Sequence, residues 1–354
     1  MHPATLVPKA DSIPVPWGWF ESLLLLTFII HLLIMNMVLG GGIISFVHSL
    51  IGRETSPVPR DISKKLTTAI ALAVNFGVAP LLFLQVLYGH FMYSSSILMA
   101  VYWLSIVGLV ILAYYSAYIY NFKYNALGTK RTFFIALTVV LLLITAFLFT
   151  NNMTLMLHPE KWSAYFEHPD GMLLNTSDPT LPPRFLHFVT ASVAVAGLFI
   201  ALVWRFKKKN GHPDADAHIA CGMRWFAYGT LVQILVGLWF LLSLPTEITA
   251  LFLGGAGLQT WILVLALASA LAALILGLLK KVLPALAFLV PTVALMAVMR
   301  DLVRAAYLKP YFKLSDLTVA PQYSPLVLFL VSLVAVLAIL GYVFKLAANA
   351  KKEA

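Results

Sequence analysis

The chain has 354 residues, of which 61% are hydrophobic and only 11% charged, with a mean hydropathy of +0.91. Soluble domains carry about 25% charged residues, so this composition excludes a soluble globular protein and makes the bilayer the solvent of the fold. The net charge of +10 reads as positive-inside asymmetry rather than nucleic-acid binding, and the single Cys221 excludes a disulfide framework, a thiolate metal cluster and a CxxCH attachment site for haem c.

In chain order, residues 1–16 are polar and Pro-rich and form an N-terminal segment. The apolar run after them is too long for a signal-peptide core, so no cleavable signal is expected. Apolar stretches of membrane length then predict helices near 17–51, 66–92, 97–122, 132–156, 184–206, 223–245, 258–279, 283–306 and 324–346. The expected fold is an all-α polytopic membrane protein. Its nine-helix bundle covers 17–346, and a tail covers 347–354. Only "MYSSS" separates the second and third spans. The longest connections are 157–183 and 307–323. Loops on one side, with the C-terminus, hold 17 of the 24 Lys and Arg residues. That side is therefore cytoplasmic and the N-terminus lies outside. Trp17 and Trp19 fit an interfacial belt at the outer end of the first span.

Polar groups inside a bilayer are costly and read first as functional. His187 opens the fifth span near the outer surface, three residues after Arg184. His90 closes the second span on the same side. His31 lies roughly 20 Å along the first span at 1.5 Å per residue, near or outside the midplane. Met153 and Met156 close the fourth span there, and Met296, Met299 and Asp301 reach the outer half in the eighth. Three histidines from three spans suit a haem or metal site in a bundle core. No HxxH or HxxE spacing supports a zinc or di-iron site. Imidazole ligates haem iron, methionine is a common second ligand, and Arg184 suits a haem propionate. Each histidine also has a plainer reading, a hydrogen bond to a neighbouring helix. His48 reads as interfacial near the cytoplasmic end. His2, His158, His168, His212 and His218 read as solvated loop residues. "LGGGIISF" reads as close helix packing, and "NTS" at 175–177 is a sequon by spelling only. Within the spans, only Glu21 and Asp301 are acidic, both near outer ends where they are expected to meet solvent or headgroups. That disfavours a proton pump, and no broken-helix repeats point to a transporter.

The histidine spans resemble subunit I of the cytochrome bd quinol oxidases. "IHLLIMNMVLGGGI" is similar to that family's first helix, where a histidine ligates one haem of the active-site pair. "NFGVAPLLFLQVLYGHFMYSS" resembles its second helix, including the aromatic-Gly element at Tyr88-Gly89. "AFLFTNNMTLMLHPE" resembles the end of its fourth. "RFLHFVTASVAVAGLFIALVW" resembles its fifth, whose histidine binds the low-spin haem b. The resemblance covers most of the chain. It implies nine helices, an outside N-terminus and haems toward the outer face. The family's long quinol loop is replaced here by "PTEITALFLGGAG". Gln85 stands where the second helix has a glutamate, and the third span has no carboxylate. The seventh has no methionine to match the second ligand of the low-spin haem. Only Met299 or Asp301 lies near the position of the glutamate ligand in the eighth.

The expected function is that of a haem b-containing subunit in the cytoplasmic membrane of a bacterium or archaeon. It would pass electrons between the quinone pool and an outside acceptor, such as a multihaem c-type cytochrome within a respiratory complex. A terminal quinol oxidase subunit reducing oxygen is the alternative from the same chemistry. A non-redox assembly subunit is the alternative from another class. Haem b is the expected cofactor and quinone a possible second one. His187, His31 and His90 are the candidate iron ligands, with Arg184, Met299, Asp301 and Met153 beside the cofactor.

Overall fold

The computed structural model describes residues 3–51, 57–167, 169–255 and 257–353; His2 and His168 lie outside them. The chain is all-α. Its helices are α1 Trp17–Leu50, α2 Pro57–Leu98, α3 Ala100–Phe122, α4 Arg131–Met156, α5 Leu181–Lys209, α6 Ala215–Leu242, α7 Thr246–Leu253, α8 Leu258–Leu278, α9 Val282–Leu308 and α10 Tyr323–Glu353. Among the described residues, all but the short α7 are long and apolar enough to cross a membrane, which makes nine spans.

Several boundaries depart from expectation, among them the start of α6 at Ala215. α2 starts at Pro57, a residue suited to a first helical turn. It continues through "MYSSS", where the serine hydroxyls bond to carbonyls of the preceding turn, Ser94 to that of His90 and Ser95 and Ser96 to that of Met92. The break comes at Met99 instead. The connection at 245–257 contains α7, and α10 continues through most of the expected tail to Glu353.

Helices pack through small residues, since lipid removes the hydrophobic drive between them. A Cβ on Gly40 of α1 would overlap the Ser192 carbonyl of α5. On α6, a Cβ on Gly222 would come 2.6 Å from the Ala201 backbone nitrogen of α5. α10 stands apart: none of its apolar window is buried in the chain, and Phe329 meets Phe83 of α2 edge-on at 6.1 Å.

The outer end, named from the charge asymmetry, is tied down by two segments. Residues 13–14 pair with 318–322 through three backbone hydrogen bonds: Ile13 N–H to Thr318, Ala320 N–H to Ile13 and Gln322 N–H to Pro14, at 2.8–2.9 Å. The α4–α5 connection lies over α3 and α4, with Val101 donating to the Gly171 carbonyl, Leu173 to Leu98, and Asn175 N–H to Asn151 Oδ1. Beneath them lies a core that includes Leu87, Tyr88, Phe91, Met156, Trp162 and Phe252.

Candidate functional site at the outer end of the bundle

His31 projects from α1 toward α2. A carbonyl only accepts, so the 3.0 Å contact with the Ala73 carbonyl makes Nδ1 the N–H and leaves the Nε2 lone pair available. Gly77, one turn along α2, makes room for the ring: a Cβ there would come within 2.8 Å of it. His187 projects from α5 toward α6. Its Nε2 lies 2.9 Å from the Gln233 amide, which Thr190 also holds. Its Nδ1 is buried with no hydrogen-bond partner, and a Cβ on Gly237 would come within 2.9 Å of the ring. His90 follows the break in α2 at Tyr88, where φ is −131° and ψ 27°. It sits against Phe91 and edge-on to Phe312 at 4.5 Å, with Nε2 buried and unpartnered.

His31 thus offers a lone pair at Nε2, and His90 has an unpartnered Nε2. At His187 the Gln233 amide N–H points at Nε2 and places the ring proton on the buried Nδ1, so iron binding there requires the Gln233 amide to turn and accept from Nε2–H. Metal-bound histidines are oriented by donating their other ring N–H to an acceptor, as His31 does to the Ala73 carbonyl. Buried polar atoms without partners are rare and call for a physical reason. Among the described residues, no three His, Cys, Asp or Glu side chains come together as ligands of one ion, so the three histidines do not form one ligand cluster.

What links those positions is a set of arginines. Arg300 of α9 lies within electrostatic reach of both Arg304, one turn on, and Arg184 of α5. The Arg184 guanidinium carbon lies 4.8 Å from the Phe240 ring centroid, that of Arg300 4.5 Å from Phe28, and that of Arg304 4.5 Å from Tyr88. Arg184 is three residues before His187. Phe28 is three residues before His31, and Tyr88 is two before His90. Positions three apart share a helix face. Arg300 therefore touches α1 one turn from His31, Arg184 is carried on α5 one turn before His187, and Arg304 meets α2 at its break, two residues before His90.

The charges in this group do not balance locally. Among the described residues, Asp301 is the one carboxylate paired directly with these arginines, to Arg304. Glu21 is within electrostatic reach of Arg304, and Asp178 of Arg184. Arg184 Nε and Arg304 Nε are buried without partners. Like charges in a poorly solvated interior repel strongly unless an anion stands between them. The donor set fits a dicarboxylate, because guanidinium binds carboxylate in a planar fork. The two propionates of a haem are such a pair.

The remaining expected residues fall variously. Met153 and Met299 are half-buried against the outer core, and Met156 is buried in it. Met296 lines a cavity of about 40 Å³ beside Gln233, enough for a water but not for a macrocycle. Asp301 does not meet solvent or headgroups: it is 8% exposed and ion-paired, because Arg304 follows one turn later on the same face. His158 is not solvated but lies between two carboxylates. His48 is at the inner end, as expected, but buried there, receiving the Trp225 indole N–H at 3.4 Å. The His218 ring lies against Trp204 at 4.2 Å, tilted by 35°, and both line an inner-end cleft of about 750 Å³ with His212. Sequence reasoning missed Gln233, Arg300, Arg304 and Tyr307 as site residues. Their signal was present, since each is a polar group inside a span.

No family model matches the chain, and no curated protein is found similar to it.

Proposed function

We propose that this chain is a haem b-binding membrane subunit that carries electrons between the quinone pool and an acceptor outside, such as a c-type cytochrome. One observation carries the reading: of three clustered arginines with one directly paired carboxylate, Arg300 touches α1 near His31, Arg304 touches α2 near His90, and Arg184 is borne by α5 one turn before His187. Imidazole for iron and guanidinium for propionate is the donor set that haem b requires. The resemblance to subunit I of the cytochrome bd quinol oxidases points to the same cofactor. When bound, haem supplies one-electron transfer. The chain supplies the rest. His187 and His31 offer oriented ring nitrogens, the arginines hold negative charge, and the apolar bundle excludes water.

Oxygen reduction is the less favoured reading. It needs protons delivered to a buried site, and intramembrane carboxylates are common carriers. From the inner side α2 offers only Asp61, ion-paired with Lys207, α3 has none, and Asp301 is committed to Arg304. The test is to supply the purified complex with a reduced quinol analogue and an added c-type cytochrome while following oxygen. Cytochrome reduction with negligible oxygen uptake is expected. Rapid cyanide-sensitive oxygen uptake without cytochrome reduction would favour the oxidase and overturn the proposal.

A further inference from the structure

The α4–α5 connection carries a chain of ionisable groups that leads from solvent to the arginine cluster. Glu160 is 43% exposed at its side chain, and its Oε1 lies 2.5 Å from His158 Nδ1. On the other side of the ring, His158 Nε2 lies 3.1 Å from Asp178 Oδ2, and that side chain is 2% exposed. Asp178 Oδ1 accepts from the Thr180 N–H at 2.7 Å, and Oδ2 also accepts from the Asn175 amide at 3.2 Å. Beyond Asp178 lie Arg184 and Tyr307, both within its electrostatic reach. The Tyr307 ring meets that of His158 edge-on at 5.2 Å. Arg184 passes the series on to Arg300.

A surface ion pair needs only two partners. This imidazole has a carboxylate on each nitrogen, one wet and one dry, and its dry side faces a buried arginine. Carboxylate and histidine chains of this kind carry protons in membrane proteins.

We propose that Glu160, His158 and Asp178 form a proton relay between the outer water and the arginine cluster, and that electron arrival at the cluster is matched by proton uptake at His158. The second half rests on the haem reading above. The balance is one electron and one proton. A hydroquinone-class donor gives up one electron and releases one proton to water as it becomes the semiquinone, and the electron lowers the charge next to Arg184 by one. Glu160 passes a proton from outside water to His158 Nδ1, and the Nε2–H is shared with Asp178. When the electron leaves to a c-type cytochrome, the proton returns by the same route.

Ordinary protonation behaviour agrees. Burial opposes a proton on His158, but the hydrogen bonds to Asp178 and Glu160 outweigh it and hold the ring above its ordinary 6.5. Burial would raise both carboxyls, yet their bonds to His158 hold them below their ordinary values. The groups facing the ring are Glu160 from its own segment, Asp178 from the approach to α5, and Tyr307 of α9. Tyr311 beyond α9 binds Glu160, Arg184 of α5 faces Asp178, and Lys161 acts through Asn175.

Two measurements on the full chain in nanodiscs test this. In ¹⁵N-imidazole-labelled protein, His158 is expected to titrate above the ordinary histidine range, and Asp178→Asn to bring it down. An unshifted His158 in Asp178→Asn would reject the relay. Redox titration of the haem-loaded protein is expected to show a midpoint that falls across the His158 titration. The fall should approach about 59 mV per tenfold change in proton activity for a one-electron couple. His158→Gln and Asp178→Asn should flatten it. A slope unchanged in both variants would overturn the coupling. Protein with no redox centre would reject the coupling and the haem reading together, leaving the imidazole titration to decide the relay alone.

Discussion

Arg184 and His187 share one aromatic neighbour: Phe240 of α6 lies 4.8 Å from the Arg184 guanidinium carbon, and its centroid lies 6.2 Å from that of the His187 ring. The ring fixes both side chains on the α6-facing side of α5, one turn apart. A cation–π contact of this kind contributes about 0.5–2 kcal/mol. Phe240→Ala should therefore loosen both side chains at once. The reduced b-type spectrum is expected to broaden, and haem to be lost more readily on washing. A variant with an unchanged spectrum and haem retention would show that Phe240 positions neither.

Gly77 tests His31 without altering a polar group. A Cβ there would come within 2.8 Å of the imidazole, so Gly77→Val should push the ring off the Ala73 carbonyl. Overpacking typically costs about 1–3 kcal/mol. The expected outcome is loss of one haem signal with that of His187 intact. Gly108→Ala, where nothing lies within 4 Å, is the control. Equal effects from the two variants would remove His31 from the site.

Asp301→Asn leaves Arg304 buried without its direct carboxylate partner. Removing one member of a buried ion pair costs about 3–5 kcal/mol. Haem binding should restore part of this loss, because propionates supply the missing negative charge. Thermal unfolding with and without haem measures it, and the haem-induced gain should be larger in Asp301→Asn than in the parent. An equal gain would place the propionates away from Arg304.

The spans were legible in the sequence because a bilayer imposes length and hydropathy on each of them. α7 was not, although Pro245, Thr246 and Glu247 at its start and Gly254 after its end are ordinary helix signals. A membrane-length window averages over eight residues. The histidines were legible as expensive polar groups. Arg300 and Arg304 were in view only as counts toward orientation, although they oppose that count and sit inside a span. Gln233 carries no charge, so a search for ionisable groups passed over the residue that holds His187. The partners of His158 come from positions 160 and 178, on either side of a turn that no periodicity reports.

The outer connection should respond to pH in both directions. His158 is held above 6.5, so its contribution is complete below that value and is lost as pH rises through the folded-state pKa. Glu160 and Asp178 are held below 4.5 and 3.8, so theirs is complete above those values and is lost as pH falls through the folded pKa values. The segment should be tightest between about 4.5 and 6.5. Hydrogen exchange across 157–180, corrected for intrinsic rates, should pass through a minimum in that window. His158→Gln should abolish the alkaline rise. A monotonic profile in the parent would contradict the cluster.

Orientation fixes which compartment each group meets. In a Cys221→Ser background, a cysteine at the exposed position of Ser177 should react with an impermeant maleimide added outside. One at Gly211 should stay unlabelled until the membrane is opened. The reverse pattern would move the relay, the arginines and His187 to the cytoplasmic side.

The haem content of the purified protein tests the central claim most directly. A reduced-minus-oxidised spectrum is taken with a pyridine haemochrome assay on the parent and on His187→Ala, after both are shown to insert and fold. Expected is a b-type spectrum in the parent, with loss of one low-spin component in His187→Ala as the buried Nδ1 and the Gln233-held ring disappear. A folded parent with no haem b, or a His187→Ala protein with unchanged haem content and spectrum, would contradict it.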